Sequence, residues 1–490
     1  MAMTSVPPTS PENRPPTHNQ PKNNSQKNSS LADNSLADNS QADNSLADNQ
    51  STRYRHIWAL AWPIVLSNIT LPLVGAVDVA VMGHLPDPAF VGGVALGTLL
   101  FDFFYLFFGF LRMSTTGFAA RAYGEAAHSE NQLILARASA IALLAACGFI
   151  LLLPLILPLA LWVIVADPLV ETLMQDYVQI RIFATPAALL NITLLGWLYG
   201  QQAMRIGMAQ LLMVNMLNIG LSLLFVMGWG WQITGVAAAS VGAQWGGLAL
   251  TLILIYTQRS RFHLHKLLFD RAALIAMAPW LRFVSLSRDL ILRTGLLFFV
   301  QFLLISEAAK IDTLTLAAMQ IIIVLFGLIA YGLDGFAHAA EALVGEAIGK
   351  RRAEHLMLVA RRSTHLAFLV AFLMSGFFAL AKPIILPLFT SQPDLQAAVN
   401  DIWYWVVITP PVSVLAFQMD GIFVGAAQGR EMRNSMILSV ILFGIVLAAL
   451  GQFASGLSRL DALLLAFILY LAARGILLWL RLHIVRQQAE

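Results

Sequence analysis

The stretch LPLVGAVDVAVMGHL, residues 71–85, places a single acid, Asp78, inside an apolar run that can cross a bilayer together with the residues before it. A bare carboxylate in hydrocarbon costs several kcal/mol, so Asp78 has to be neutral, solvated or partnered. The whole chain of 490 residues is similar in character, with 58% hydrophobic and 12% charged residues and a mean hydropathy of +0.72. A soluble domain carries about twice that share of charge. The composition therefore predicts an integral membrane protein.

Apolar stretches of about 20 or more residues alternate with short polar joints after Arg55, and this is the length that a helix needs to cross ~30 Å of hydrocarbon. The fold class predicted is an all-α membrane protein with twelve transmembrane helices. We expect the proline pairs Pro154/Pro158 and Pro383/Pro387 to break or kink the outer ends of the third and ninth helices. The predicted limits are 57–83, 90–120, 132–165, 177–202, 208–228, 231–257, 281–308, 312–342, 364–390, 401–427, 434–456 and 461–484.

The basic residues are concentrated on one side of the predicted membrane. About twenty Lys and Arg lie before the first span or after the even-numbered spans, whereas only three or four lie in the other joints. Because basic joints stay in the cytoplasm, both termini are predicted to be cytoplasmic, as an even number of spans requires.

The chain contains an internal duplication. FLRMSTTGFAARAYGEA, residues 110–126, aligns without gaps with YGLDGFAHAAEALVGEA, residues 331–347, at an offset of 221 residues. The prolines and glycines of residues 186–200 match those of residues 411–425 at an offset of 225. Two pseudo-symmetric six-helix lobes are predicted, related by an axis along the membrane normal. The predicted N-lobe covers residues 51–258, a cytoplasmic linker 259–280, and the C-lobe 281–490.

Two segments lie outside the predicted helices. Residues 1–50 contain no aromatic residue and end in four pentads of the type SLADN, so they are predicted to be a disordered tail and not a cleaved leader. In the linker, RFHLHKLLFDRAALIAM, residues 261–277, fits an interfacial amphipathic helix and a plain solvated linker equally well.

Polar side chains inside the apolar spans are the candidate functional residues. Asp78 is predicted to be a proton switch or a cation ligand, because an intramembrane acid is functional by default. Pro63 removes a backbone hydrogen bond from the same helix and provides a weak point for bending. Asn218 and Ser222 are four residues apart and share a helix face. Helix-to-helix hydrogen bonding is the favoured alternative for four further candidates, Asn68, Asn191, Asn215 and Ser240. The remaining candidates are the acids Asp102, Asp334 and Asp420.

Several charges have plausible partners close by in sequence. Asp289 and Arg293 are four apart and are expected to pair, and Glu341 and Glu346 are expected to pair with Lys350 or Arg351. The phenylalanine-rich run around Asp102 either packs against lipid and protein or contacts a flat lipophilic substrate.

Several function classes are excluded by the absence of their motifs. Cys147 is the only cysteine, and no HExxH, G-x-S-x-G or Walker A pattern occurs. We therefore expect no metal site, no cofactor, no enzymatic activity and no direct coupling to ATP, so that transport depends on an ion gradient. The basic residues form no groove-like patch, which argues against nucleic acid as a partner.

The chain resembles the multidrug and toxic compound extrusion (MATE) family, and within it the branch of DNA-damage-inducible protein F. The resemblance rests on stretches from both halves, which are PIVLSNITLPLVGAVDVAVMGHL (63–85), FLRMSTTG (110–117), AYGLDGFAHAAEALVG (330–345) and DGIFVGAAQGREMRNSM (420–436). It implies a V-shaped pair of lobes in a bacterial inner membrane, active as a monomer among membrane lipids. It also implies antiport of small organic, often cationic compounds against protons or sodium ions. A flippase for lipid-linked oligosaccharides of the same superfamily is the alternative.

The resemblance also implies roles for individual residues. It makes Asp78 the coupling acid and Pro63 the bending proline, and it places Asn218 and Ser240 in the same polar network. Many members of the family have a second acid where this chain has Ser222, so protons are favoured over sodium ions. Asp420 resembles an acid of the tenth helix and implies a second coupling site or a gate.

Overall fold

The computed structural model describes residues 53–85, 87–163, 167–264, 271–453 and 458–490, and every regular element within them is helical. Twelve segments are long and apolar enough to cross a membrane, which confirms the predicted number of spans. Spans 1 to 6 form the N-lobe and are Tyr54–Ile69 with Leu71–Gly83, Ala89–Gly124, His128–Val163, Pro168–Arg181 with Thr185–Gly200, Met204–Ser222 with Leu223–Gly228, and Gln232–Thr257. Spans 7 to 12 form the C-lobe and are Met277–Ala309, Thr313–Gly349, Ala353–Phe389, Trp403–Gly425, Gly429–Phe453 and Arg459–Trp479.

Shorter helices lie outside the spans. They are Arg271–Ile275 in the linker, Pro393–Asp401 before span 10, and Leu482–Gln487 after span 12. In the predicted amphipathic segment, residues 261–264 form turns and Arg271–Ile275 forms the short helix, whereas residues 265–270 lie outside the described residues. The predicted tail, residues 1–50, also lies outside them.

Spans 3 and 9 are not broken at their proline pairs, and a kink without a break stays a prediction. Both helices continue through their proline pairs, which are Pro154 and Pro158 in span 3 and Pro383 and Pro387 in span 9. Membrane helices tolerate proline where neighbouring helices and local adjustments satisfy the backbone groups that it leaves without a partner.

Span 1 is interrupted at Thr70, between its two helices. Pro63 lies within the first helix, whereas Pro72 lies in the first turn of the second, a position at which proline costs no intrahelical hydrogen bond. Thr70 Oγ1 donates to the carbonyl oxygen of Ser67 at 2.7 Å and accepts from Asn215 Nδ2 at 2.6 Å. The break in this conformation therefore lies seven residues after Pro63 and is held by span 5.

Glycine contacts define the register of the two lobes. Gly196 lies against the carbonyl group of Arg112, and Gly421 lies against that of Ala337. Arg112 and Ala337 are 225 residues apart, as Gly196 and Gly421 are. Spans 2 and 8 are therefore related by the same offset as spans 4 and 10. The 221-residue alignment of spans 2 and 8 is therefore wrong by four residues, about one helical turn, which is a shift that leaves the same helix face in place.

The lobes pack tightly at one end, which we call the basic end because span 1 begins there and the even-numbered spans end there, next to most of the Lys and Arg residues. A Cβ atom at Gly124 of span 2 would collide with the carbonyl of Glu346 in span 8, and one at Gly349 would collide with the carbonyl of Arg121. The contact between the lobes is made mainly by spans 1, 2 and 4 with spans 7 to 10. Backbone approach this close requires glycine, as in other membrane helix interfaces.

We expect Gly124→Ala to lower the stability of the purified protein by about 1 to 3 kcal/mol, because the added methyl group forces the two backbones apart. Thermal unfolding in detergent, followed by tryptophan fluorescence, measures the effect. Gly109→Ala in the same span is the control, since nothing lies within 4 Å of its Cβ position and alanine there only adds helix propensity. Equal unfolding temperatures for the two variants would contradict the tight contact.

Candidate functional site

Asp78 lies half-buried in the second helix of span 1, eight residues after the break at Thr70. The Ser222 hydroxyl of span 5 donates to its Oδ1 at 3.0 Å, and Ser222 itself is fully buried. A hydroxyl donates to a carboxylate and can also accept from a protonated carboxyl group, so this partner suits both states of Asp78. Among the described residues no ion pair is made by Asp78.

Span 5 presents a polar face to spans 1 and 6, as its spacing predicts. Asn215 donates to Thr70, Asn218 Nδ2 donates to Ser240 Oγ of span 6 at 3.1 Å, and Ser222 binds Asp78. The Oδ1 atom of Asn218 is buried without a hydrogen-bond partner among the described residues. The four predicted coupling residues, Asp78, Asn218, Ser222 and Ser240, are thus brought together at the contact of spans 1, 5 and 6.

The backbone of span 5 changes directly after Ser222. Residues Leu223–Gly228 form a widened π-helical turn that ends the span. Such turns are rare and are found mostly at functional sites. The residue that binds Asp78 is therefore the last residue of the regular α-helix, where a change of helix geometry would move it.

Two other predicted residues have structural partners. Asn191 donates to both the carbonyl and the side-chain oxygen of Gln244, at 2.9 and 3.0 Å, and accepts from Gln210 at 3.0 Å. Asn68 Nδ2 donates across the lobes to the carbonyl of Tyr331 at 3.3 Å. These contacts agree with helix-to-helix hydrogen bonding, which was the favoured alternative for both residues.

Arg181 is a half-buried cation of the N-lobe that sequence reasoning did not assign to the site. It ends the first helix of span 4 and donates to Tyr177 and, at 3.1 Å, to Thr98 of span 2. Its charge attracts both Asp78 and Asp102. The one signal in the sequence was its position, because Arg181 is a basic residue on the side of the predicted membrane where the joints contain almost no other Lys or Arg.

Asp102 is an exposed carboxylate in the phenylalanine-rich part of span 2. On the same span, Phe103, Phe107 and Phe110 line a small cavity of about 120 Å³ against Ile291 and Phe298 of span 7. This cavity is apolar and lies between the lobes, but it is too small for a drug-sized molecule, which needs about 300 Å³ or more.

In the C-lobe, Asp420 binds two buried arginines, Arg293 of span 7 and Arg474 of span 12. We call these three residues the C-lobe triad. Asp289 instead pairs with Arg433 of span 11 at 2.8 Å, so the expected pair of Asp289 with Arg293 is wrong. Because spans 7 and 11 are in contact, Asp289 pairs with Arg433 of span 11 in place of Arg293 in its own helix.

Glu341 joins the lobes. Arg112 Nη1 of span 2 donates to Glu341 Oε2 at 3.0 Å, and His338 Nδ1 lies 3.1 Å from Glu341 Oε1. We call Arg112, His338 and Glu341 the inter-lobe bridge. The expected pairing of Glu341 with Lys350 or Arg351 is therefore wrong, because span 2 provides a buried guanidinium closer than either of them.

Neighbouring acids on span 8 complete this region. Lys350 Nζ donates to Glu346 at 2.6 Å, which confirms the pairing expected for Glu346. Asp334 is half-buried one turn before His338, and the charges of His338, Arg112 and Glu341 all act on it. Asp334 therefore belongs to the surroundings of the inter-lobe bridge and not to the polar contact of spans 1, 5 and 6.

We expect Glu341→Gln to weaken closure of the basic end by about 3 kcal/mol, since breaking a buried pair leaves the charge of Arg112 without compensation. In a Cys147→Ala background, spin labels at Arg205→Cys and Glu354→Cys report the separation of the lobes by pulsed electron resonance. The distance distribution should shift to longer values. Glu125→Gln is the control, because its partner Arg121 lies in the same exposed part of span 2. A matching shift in both variants would contradict the assignment.

The fold and this site define an integral membrane protein of two duplicated six-span lobes with a hydroxyl-bonded acid in one lobe. The MatE family model matches residues 63–224 and 290–450, one match in each half. DNA damage-inducible protein F of Escherichia coli (strain K12) is 36% identical over 424 residues, which covers 86% of this chain and 90% of the relative. The chain therefore belongs to the MatE family.

Solved structures show the same fold at low identity. The Vibrio cholerae MATE transporter VcmN in its bent form has a TM-score of 0.79 and 14% identity, covering 90% of this chain and 99% of that one. A MOP superfamily transporter from Pyrococcus furiosus has a TM-score of 0.77 and 16% identity, covering 89% and 96%. Members of the MatE family are transporters, so this multi-pass membrane protein is a transporter of the multidrug efflux type and not an enzyme.

Proposed function

We propose that the protein is a secondary antiporter of a bacterial inner membrane that exports small organic compounds, cationic or amphiphilic, in exchange for protons. The observation that carries the proposal is the position of Asp78, an intramembrane carboxyl group bonded to the neutral hydroxyl of Ser222. Because its hydrogen-bond partner is neutral, the carboxyl group of Asp78 is able to bind and release a proton, as proton-coupled transport requires.

Protons are favoured over sodium ions because the site offers one carboxylate. The other groups at the contact of spans 1, 5 and 6 are hydroxyls and amides, namely Ser222, Asn218 and Ser240, and no cluster of three or more His, Cys, Asp or Glu occurs among the described residues. A cage for a hard metal cation needs several oxygen ligands, preferably with more than one charge. A single acid suffices for a proton.

The proposed exchange cycle alternates between two packing states of the lobes, one with the basic end closed and one with it open. In the conformation described, the basic end is closed, and with the predicted cytoplasmic placement of that end and of both termini this state faces outward. Protonation of Asp78 removes the cost of burying its charge, so that span 1 can bend at the Thr70 break and reposition against Asn215. A cationic substrate loses its counter-charge at the same moment and is released. Opening of the basic end then returns the proton to the cytoplasm.

The protein is proposed to act as a monomer, since each chain contains both lobes and the whole polar site. The alternative of a flippase for lipid-linked oligosaccharides finds no specific support in the site, whose groups are those of a small polar contact between helices.

Proteoliposomes with an imposed gradient test the exchange. With purified protein, an inward proton gradient should drive export of a fluorescent organic cation, and an equal sodium gradient at constant pH should not. Transport driven equally by sodium would overturn proton coupling, and transport of a labelled lipid-linked sugar in place of the cation would overturn the substrate class.

A further inference from the structure

The N-lobe closes a cleft between spans 3, 4 and 6 with its own chain. Phe262, in the turn after span 6, is 6% exposed and packs against Trp197 of span 4 with ring centroids 5.0 Å apart. Gln132 of span 3 donates to the carbonyl of His263 at 2.9 Å, which holds the turn in place. Leu190 and Leu194 of span 4 pack in the same hydrophobic cluster as Phe262.

Among the residues that the structure describes, none fills the corresponding cleft of the C-lobe. At the 225-residue offset that relates the lobes, Leu190 and Leu194 correspond to Leu415 and Met419 of span 10. These two residues line a cavity of about 1080 Å³ between spans 9, 10 and 12. The chain after span 12 passes along this cavity through Leu482 and Arg486 but does not fill it. The same place in the duplicated fold is therefore occupied in one lobe and available in the other.

The lining of this cavity is that of an amphiphile site with a basic mouth. Apolar side chains of spans 9, 10 and 12 form most of the wall, and the polar lining contains Arg361, Arg486 and the imidazole of His365 together with one acid, Glu354. Arg361 is exposed, and the one ion pair that Arg486 makes with a described residue is to the similarly exposed Glu490 at 3.1 Å. Exposed pairs of this kind contribute little, so Arg486 can exchange its partner at small cost.

The cavity lies at the level of the lipid headgroups along the membrane normal. Trp479 at its edge is 54% exposed, and Trp58 and Trp62 of span 1 are exposed at the same end of the molecule. In membrane proteins tryptophan is enriched at the level of the headgroups. The basic residues of the cavity therefore lie where phosphate groups of the adjacent leaflet are found.

We propose that this cavity of spans 9, 10 and 12 is a binding site for an anionic phospholipid from the leaflet at the basic end. The acyl chains occupy the apolar wall beside Leu415 and Met419, and the phosphate and its negative headgroup lie between Arg361 and Arg486. Basic pockets between membrane helices are known to favour such headgroups. A cationic substrate would face two arginines and one acid, and a soluble anion would leave most of the apolar wall exposed to water.

Native mass spectrometry of the full-length protein with added lipid tests the proposal. Wild-type protein should retain phosphatidylglycerol far better than phosphatidylcholine of the same acyl chains. Arg361→Ala with Arg486→Ala should weaken binding of phosphatidylglycerol about thirtyfold, or about 2 kcal/mol at 1.4 kcal/mol per tenfold change. Thr364→Trp, which fills the cavity without changing charge, should reduce retention of both lipids.

The matched control is Arg259→Ala with Arg261→Ala, since these exposed bases lie at the closed cleft of the N-lobe. This pair should leave phosphatidylglycerol binding unchanged. An equal loss in the control would show a general charge effect and overturn the site, as would equal retention of the two lipids by the wild type. Displacement of the lipid by glycerol phosphate at the same concentration would assign the cavity to a soluble anion and overturn the proposal as well.

Discussion

Asp78→Asn is expected to abolish proton-driven export. Asparagine keeps the size of the side chain and its hydrogen bond with Ser222, but it neither takes up nor releases a proton. If Asp78 carries the proton, uphill export in everted vesicles falls by about a hundredfold or more, which is the order of effect expected for a group involved in each proton transfer. Expression level and thermal unfolding temperature should remain those of the wild type.

The control for this variant is Asp87→Asn. Asp87 is exposed in the joint after span 1, where its carboxylate accepts from the backbone of Ala89 at 2.8 Å, and asparagine caps a helix equally well. Export by this variant should be normal. Undiminished pumping by Asp78→Asn would show that the proton is carried elsewhere, and the exposed Asp102 would then be the next acid to test.

Asp420→Asn is expected to destabilise the protein strongly and not merely to uncouple it. The change leaves two buried guanidinium groups, those of Arg293 and Arg474, without a counter-charge. Removing one partner of a buried pair costs about 3 to 5 kcal/mol, and we expect the upper end because two cations are affected. Thermal unfolding and the yield of monodisperse protein measure the loss.

A second variant separates structure from coupling at this position. Replacing the whole C-lobe triad by Met, Leu and Met at positions 293, 420 and 474 should restore stability, because a well-packed apolar set avoids the cost of burying three charges. If the triad is structural, the triple variant also exports. A stable Asp420→Asn protein without export would identify Asp420 as a coupling acid, as the resemblance to the family implies.

Hydropathy was sufficient to predict the spans because the thickness of the hydrocarbon fixes the length of each apolar segment. The shared face of Asn218 and Ser222 was equally predictable, since it follows from the helical repeat within one span. The contact of Ser222 with Asp78 required a resemblance to a family, because spacing along the chain does not show which spans are neighbours.

Ion pairs between distant spans were beyond sequence reasoning. Arg112 and Glu341 are 229 residues apart, and nothing in their spacing favours that pair over Glu341 with Lys350. The sequence therefore predicted that Glu341 pairs with Lys350 or Arg351 on its own span. The packing of spans 2 and 8 shows that Glu341 pairs with Arg112 instead. The break at Thr70 was missed for a related reason. Pro63 predicts a bend within its own helix, whereas the break lies at Thr70, which is held by the hydrogen bond from Asn215 of span 5.

The unequal lobes have a thermodynamic consequence. Counted at the 225-residue offset, the C-lobe residue matching Asp78 is Leu303, and the acid of span 10 is neutralised by arginines. A carrier with Asp78 as its sole proton carrier exchanges one proton per cycle. With a monovalent cation this stoichiometry is electroneutral, so only the pH difference sets the accumulation ratio, about tenfold per pH unit. With a neutral compound the membrane voltage adds about 2.3 kcal/mol per 100 mV, or about fiftyfold.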